Sequence, residues 1–330
     1  MKLINKNDSI FIPGSSGMVG SAIKRRLLDR GFNNLLIPRR NSLDLLDFSN
    51  VDKWFSANKP EIVILAAAKV GGIDANFRYQ ADFILENLKI QTNVIECALK
   101  HKVKRFLFLG SSCIYPKLAS QPMKEECFLS GELELTNKAY AVAKISGIQL
   151  CASLKKQYNF DAISLMPTNL YGPGDNYHPK NSHVMPALIR KIYSAKLQNI
   201  STINCWGSGS PKREFLHVND LADATIFVLE NISSDNKLLI DKNNEYLGIL
   251  NVGTGMDITI KELVSKISKI LEYTGKVSWD LEKPDGTPRK LLDVTKLKTL
   301  GWESKITLSQ GIKDTINSYI QELKNNTLRN

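Results

Sequence analysis

The chain has 330 residues, with 44 Lys and Arg against 33 Asp and Glu for a formal net charge of +11. Its 43% hydrophobic and 23% charged content is that of a globular protein and excludes a chain disordered throughout. The length suits two domains of about 100–200 residues each, or one large α/β unit with an appendage.

No apolar run of about eighteen residues occurs, and Met1 to Asp8 is polar, so neither a spanning helix nor a signal peptide is expected and the cytoplasm is the expected compartment. The five cysteines, Cys97, Cys113, Cys127, Cys151 and Cys205, are odd in number and show no CxxC spacing. Neither a disulfide framework nor a metal site is therefore expected. Lysines are scattered and never gather into a basic block, so the positive balance reads as a solvated surface, then as affinity for phosphate-bearing ligands, and least as nucleic-acid binding.

Ser9 to Pro13 is a short apolar run met at once by Gly14, after which Met18, Val19, Ala22, Ile23, Leu27 and Leu28 recur at helical spacing. That is strand, tight turn and helix. Gly31 ends the helix, and Leu35 to Pro38 closes a βαβ unit of right-handed, parallel kind. The alternation continues with strands at Ile62 to Ala66, Phe106 to Gly110 and Ala162 to Met166, and helices at Phe83 to Leu99 and Ala139 to Tyr158. This predicts an α/β fold, a doubly wound parallel sheet of Rossmann type. After Pro167 a polar loop is expected to leave the sheet and open a second, smaller α/β unit, with a helix from Met185 to Leu197. Val218 to Leu229 and Leu247 to Val252 return to helix and strand, so the two units interleave: residues 1–170 and 215–252 in the first, 171–214 and 253–330 in the second. Asn231 to Asn244 is expected to be a surface loop, and helices at Ile260 to Leu271 and Leu308 to Leu323 complete the chain.

Gly14, Gly17 and Gly20 form GxxGxxG between a strand and a helix, where backbone N–H groups and the helix N-terminus can approach a dinucleotide pyrophosphate. The second strand ends in Arg39 and Arg40 with no carboxylate, which favours a 2′-phosphate and so NADP(H) over NAD(H). Tyr140 and Lys144 stand four apart and share one helix face, where the ammonium is expected to lower the phenol towards useful acid–base chemistry. Ser111 and Ser112 lie past an apolar strand at the sheet's ligand-binding end. Cys113 follows two residues after Ser111, and a thiol is more readily made into a base than a hydroxyl. His183 stands in the long loop before the next helix. His217 and Asp220 are read as structural, Asp220 as the cap of the helix that follows; His101 and His178 carry no case.

The glycine loop, the serine after a strand and YxxxK together resemble the extended short-chain dehydrogenase/reductase superfamily. The stretches Leu65 to Ile73, Phe108 to Ala119, Met166 to Asn176, Asn181 to Lys191, Trp206 to Val218 and Lys283 to Asp293 resemble, more narrowly, the GDP-L-fucose synthases, over nearly the whole chain. That resemblance implies a bifunctional enzyme that epimerises GDP-4-keto-6-deoxy-D-mannose at C3 and C5 and reduces the C4 ketone with NADPH. It implies catalytic roles for Ser111, Cys113, Tyr140, Lys144 and His183. It further implies a cofactor site made by Gly14, Ser15, Ser16, Gly17, Met18, Val19, Gly20, Arg39, Arg40, Leu109, Gly110, Ser111, Tyr140, Lys144, Pro167, Thr168, Asn169, Leu170 and His183. Lys191, Trp206, Arg213 and Asp285 match positions that contact the GDP-sugar, with cations for diphosphate, a carboxylate for hydroxyl or N–H donors and an indole for packing. A homodimer joined through the two long helices is implied as well. Ser15 and Ser16 depart from the family, whose members can carry a basic residue there, so Arg39 and Arg40 must do more. A dehydratase of the same fold would place Asp-Glu after the serine where this chain has Ser112-Cys113, and a simple 4-epimerase needs no Cys–His pair. The remaining alternatives are another nucleotide-sugar epimerase or reductase, or an NADP-sensing scaffold without turnover, supported only by the net charge.

Overall fold

The computed structural model describes residues 2–179, 181–283 and 285–329; Met1 of the polar N-terminal stretch and Pro284, within Lys283 to Asp293, lie outside them. Six parallel strands form the main sheet: β1 (Ile10–Phe11), β2 (Leu35–Leu36), β3 (Ile62–Leu65), β4 (Arg105–Leu109), β5 (Ala162–Pro167) and β9 (Ile249–Val252), in the order β2-β1-β3-β4-β5-β9. Helices α1 (Met18–Asp29) and α7 (Val218–Asn231) cover one face, and α2 (Phe48–Asn58), α4 (Gln80–Lys100) and α5 (Lys138–Tyr158) the other. Because both faces are covered, β3, β4 and β9 are buried at every residue, which is why they read as continuous apolar runs rather than alternations. The doubly wound α/β fold is thus present, with its order reversing between β1 and β3.

A third apolar cluster lies beside this sheet, gathered from α6 (Val184–Leu197), α8 (Ile260–Leu271) and α10 (Leu308–Lys324) against β7 (Thr202–Trp206) and β8 (Lys212–His217). β8 is central. It pairs with β6 (Asn169–Tyr171) and β12 (Arg289–Lys290) in parallel and with β10 (Asp257–Thr259) antiparallel, while β7 pairs with β11 (Lys276–Asp280). Glu214 on β8 is fully buried, and its carboxylate accepts from the backbone N–H groups of Thr254 (2.6 Å), Gly255 (2.8 Å) and Leu292 (3.0 Å). Its own carbonyl accepts from the Asn169 side chain at 2.8 Å, so one residue ties β6, β8, the turn after β9 and the approach to α9 (Thr295–Thr299).

Several expectations change. The chain does not leave the sheet directly at Pro167: β6 forms first, because Leu170 packs on the core of the main sheet and Tyr171 on the third cluster. The Asn231 to Asn244 loop is anchored by a single 3₁₀ turn whose Leu239 is fully buried. Asp220 does not cap α7. His217 is the N-cap, its Nδ1 accepting from Asn219 N, whereas the Asp220 carboxylate takes the backbone N–H groups of Lys305 and Ile306 ahead of α10. α2, capped by Asp47, has no counterpart among the predicted elements; only Val51 and Phe55 of its eleven residues are buried. Likewise α3 (Ile73–Arg78) is too short to show a period. Among the described residues no helix is long and apolar enough to cross a membrane, and all five cysteines are free.

Candidate active site

The glycine loop turns between β1 and α1 at the point where the sheet order reverses, the crevice in which such sheets bind ligands. Gly14 has φ +89°, and a Cβ there would stand 2.6 Å from Ala67 N, just past β3. A Cβ on Gly20 would collide with the Gly14 carbonyl. Only glycine allows this close packing of loop, strand and helix. No side chain caps α1 at Gly17, so its first N–H groups remain available to an anion, and Ser15, Ser16, Met18 and Val19 complete the turn. Arg39 and Arg40 follow β2 on the surface beside this crevice. These residues fit a dinucleotide with a phosphorylated ribose.

Across the crevice, β4 delivers Leu109, Gly110 and Ser111. Ser111 is the N-cap of a 3₁₀ turn at Ser112–Ile114, and its Oγ accepts from Cys113 N at 3.2 Å, which leaves the hydroxyl proton free to be donated elsewhere. The same turn holds Cys113 beside Ser111. Two donors that the sequence reading does not include meet its sulfur: Asn137 Nδ2 at 3.2 Å and Lys290 Nζ at 3.5 Å. Thiolate is the form that takes a proton, and both neighbours offer it N–H groups. Asn137 lies three residues before Tyr140 at the start of α5. Lys290 arrives through β12, whose register sets it opposite Arg213 on β8.

Tyr140 is half-buried, close to Ser111 and edge-on to Phe83 of α4 at 6.4 Å between ring centroids. Burial, then the negative charge at Cys113, raise its hydroxyl above the ordinary phenol, with Ser111 opposing. The direction is opposite to that expected from YxxxK. Lys144 explains why: its Nζ donates to the Leu109 carbonyl at 2.8 Å and lies 5.9 Å from the Tyr140 ring centroid, and burial lowers the ammonium itself to about 8. The phenol is a held proton rather than a phenolate.

His183 is the N-cap of α6, its imidazole unused in capping. The preceding Asn181 carbonyl accepts from Gly72 N at 2.9 Å, docking this loop on the segment after β3; a Cβ on adjacent Gly71 would meet the Phe83 ring that packs on Tyr140. His183 is exposed, and partial desolvation of its ring lowers its basicity below that of ordinary histidine. Pro167, Thr168, Asn169 and Leu170 pass between the two halves, Thr168 and Asn169 both bonding to the Glu214 carbonyl.

The four residues matched to the nucleotide-sugar gather at one edge. Lys191 on α6 donates to the Asn204 carbonyl of β7 at 2.7 Å, and Trp206, 69% exposed, ends that strand with Lys283 Nζ 5.9 Å from its ring centroid. Asp285 accepts from Ser208 N and Ser208 Oγ, both at 2.7 Å, which holds its carboxyl below the usual range. Arg213 feels the charges of Asp285 and Glu134. Glu134 also receives Lys117 (3.2 Å) and Thr287 Oγ1 (3.2 Å), fastening the 281–288 loop to the Cys113 side of the cleft.

Residues 10–252 match the NAD dependent epimerase/dehydratase family. The chain is 51% identical over 312 residues to the GDP-L-fucose synthase of Escherichia coli K12, covering 94% of this chain and 96% of that protein. It is 50% identical over 321 residues to GDP-L-fucose synthase 1 of Arabidopsis thaliana, 97% of this chain and 96% of that one. A GDP-L-fucose synthetase from Naegleria fowleri solved with NADP bound superposes with a TM-score of 0.87 at 26% identity, over 99% of this chain and 98% of that one. The chain belongs to the NAD dependent epimerase/dehydratase family and, within it, to the GDP-L-fucose synthases.

Proposed function

We propose that the protein converts GDP-4-keto-6-deoxy-D-mannose to GDP-L-fucose with NADPH. The observation that carries this is the thiol of Cys113, met by Asn137 and Lys290, on the same short turn as Ser111 and beside Tyr140. A plain reductase needs no such base. In this reading the Cys113 thiolate removes the proton at C3, and at C5, each acidified by the C4 carbonyl. His183, protonated from solvent, returns a proton to the opposite face, so each stereocentre inverts with no net change in atoms; solvent takes the Cys113 proton and reloads His183 before the second centre reacts. Ser111 and Tyr140 donate hydrogen bonds to the C4 oxygen, which stabilises the negative charge that enolisation puts there.

NADPH, when bound, supplies the hydride to C4. Tyr140 then gives its proton to the C4 oxygen, making the hydroxyl, a task suited to a phenol that burial keeps protonated. Lys144 holds the end of β4 and compensates charge as that proton leaves. Lys191, Trp206, Arg213 and Asp285 are the GDP-sugar contacts in this scheme. Residues 1–170 and 215–252 are the cofactor unit and residues 171–214 and 253–330 the substrate unit. A cytoplasmic homodimer joined through α4 and α5 is part of the reading.

The test is incubation of the protein with GDP-4-keto-6-deoxy-D-mannose and NADPH, following loss of nicotinamide absorbance and identifying the sugar by NMR. GDP-L-fucose is the expected product. Reduction that leaves C3 and C5 unchanged would overturn the epimerase half of the proposal.

A further inference from the structure

The three loop glycines face different things. A Cβ on Gly14 or Gly20 would collide with protein backbone, whereas one on Gly17, the glycine at the uncapped start of α1, would stand at ordinary contact distance, 3.4 Å from the Gly14 carbonyl and 3.7 Å from Arg329 Nη1. That guanidinium comes from the far end of the chain. Termini are poorly ordered unless tied down, and this one is tied: Tyr177 N donates to the Arg329 carbonyl at 2.9 Å, and Leu328 packs on the third cluster. Asp175, 3% exposed with its Oδ2 unpartnered, lies within electrostatic reach of the same guanidinium and attracts it. The Arg329 head itself makes no hydrogen bond or ion pair among the described residues and is exposed to solvent.

We propose that Arg329 closes over the diphosphate bridge of the bound dinucleotide, at a loop, Gly14 to Gly20, that has no cation of its own. The inference rests on the cofactor reading above. A planar guanidinium is suited to bidentate contact with phosphate oxygens, and the backbone clasp at Tyr177 places it on the side of Gly17 from which a diphosphate meets α1. Its contribution is to binding rather than to the chemical step. Since the diphosphate is common to both nicotinamide dinucleotides, Arg329 strengthens NADPH and NADH alike, unlike a residue at the 2′-phosphate.

Fluorescence titration of the full chain, without sugar substrate, reads this out. Arg329→Gln is expected to weaken NADPH and NADH by the same factor, about ten- to a hundredfold, the range of one charge-assisted contact. Arg329→Lys should recover part of it, and the affinity for GDP should not change. Unchanged or tighter dinucleotide binding, a loss confined to NADPH, or a parallel loss of GDP binding would each overturn the proposal. Failure of the unmodified protein to bind either dinucleotide would instead sink the cofactor reading on which it rests.

Discussion

Lys290 Nζ stands 3.5 Å from the sulfur of Cys113, although 177 residues separate them. The Lys290 ammonium and the Asn137 amide are the polar groups that meet this sulfur. Cys113→Ser should slow solvent deuterium incorporation at C3 and C5 by roughly 10²–10⁴-fold, the contribution of a positioned acid–base group. Reduction should survive and give 6-deoxy sugars of the original configuration. Lys290→Met should slow the exchange about tenfold, one charge-assisted contact's worth, with NADPH binding intact. His183→Gln should impair reprotonation more mildly, since water can substitute. Product analysis of Cys113→Ser by NMR decides: GDP-L-fucose formed at the unmodified rate would make Cys113 a packing residue.

Tyr140→Phe should abolish reduction while deuterium still enters C3 and C5. The phenol is a protonated donor in its resting state, so the variant loses the proton that the C4 oxygen receives but keeps the Cys113 base. Mass spectrometry of recovered substrate separates the two steps. Exchange should slow, since Ser111 alone then holds the enolate oxygen, but not stop; its loss in a folded variant would show that reduction and epimerisation are not divided between Tyr140 and Cys113.

Arg39→Ala with Arg40→Ala should remove most of the preference for NADPH over NADH, by weakening NADPH and leaving NADH nearly as before. Both residues are exposed past β2 and their guanidinium groups make no hydrogen bond or ion pair among the described residues, so the apo protein should keep its stability. Parallel titrations with the two cofactors check this. Equal affinities in the unmodified protein would remove the role assigned to the pair.

Glu125, 2% exposed, accepts from Asn251 N at 2.9 Å beneath the cleft, and burial raises its carboxyl to about 7 against 4.5 for the free side chain. The Lys296 ammonium, 4.0 Å away, opposes that rise and Glu126 adds to it. The folded pKa lies above the unfolded one, so the folded state binds the extra proton between these values. The stability from this group is complete below about 4.5 and is lost as pH rises through 7, a change of ~3 kcal/mol. Glu125→Gln keeps an acceptor for Asn251 N and should flatten that slope. Urea unfolding at pH 5 and pH 8 measures it; an identical pH dependence in both proteins would contradict the assignment.

The main sheet was legible because a strand buried on both faces has to be apolar at every position, as Ile62–Leu65 is, and because Gly14 and Gly20 mark a turn no other residue tolerates. Ser111, Cys113, Tyr140 and His183 were legible as residue types set in motifs. Asn137 and Lys290 were not, since their place at the sulfur follows from the start of α5 and from the pairing of β12 with β8, a two-residue strand without a pattern of its own. The direction at Tyr140 does not follow from spacing alone. Four residues along a helix put Lys144 on the same side, but the carbonyl that captures its ammonium belongs to β4.

The buried carboxylate of Glu214 has an evolutionary corollary. Its acceptor oxygens hold residues 254, 255 and 292 while its carbonyl holds Asn169, so the frame that carries Arg213 is assembled from four separated pieces of chain. A chimaera that imported only 171–214 from a relative handling another sugar would bring the carboxylate without the N–H groups shaped to it, leaving a buried charge unsatisfied. Changes of sugar are far easier to reach through the 281–288 loop, which is exposed over most of its length and fastened to the cleft by Glu134 and Ser208. Divergence in this architecture should therefore accumulate as substitutions in that loop and along the rim of β7, with the knot around Glu214 inherited whole.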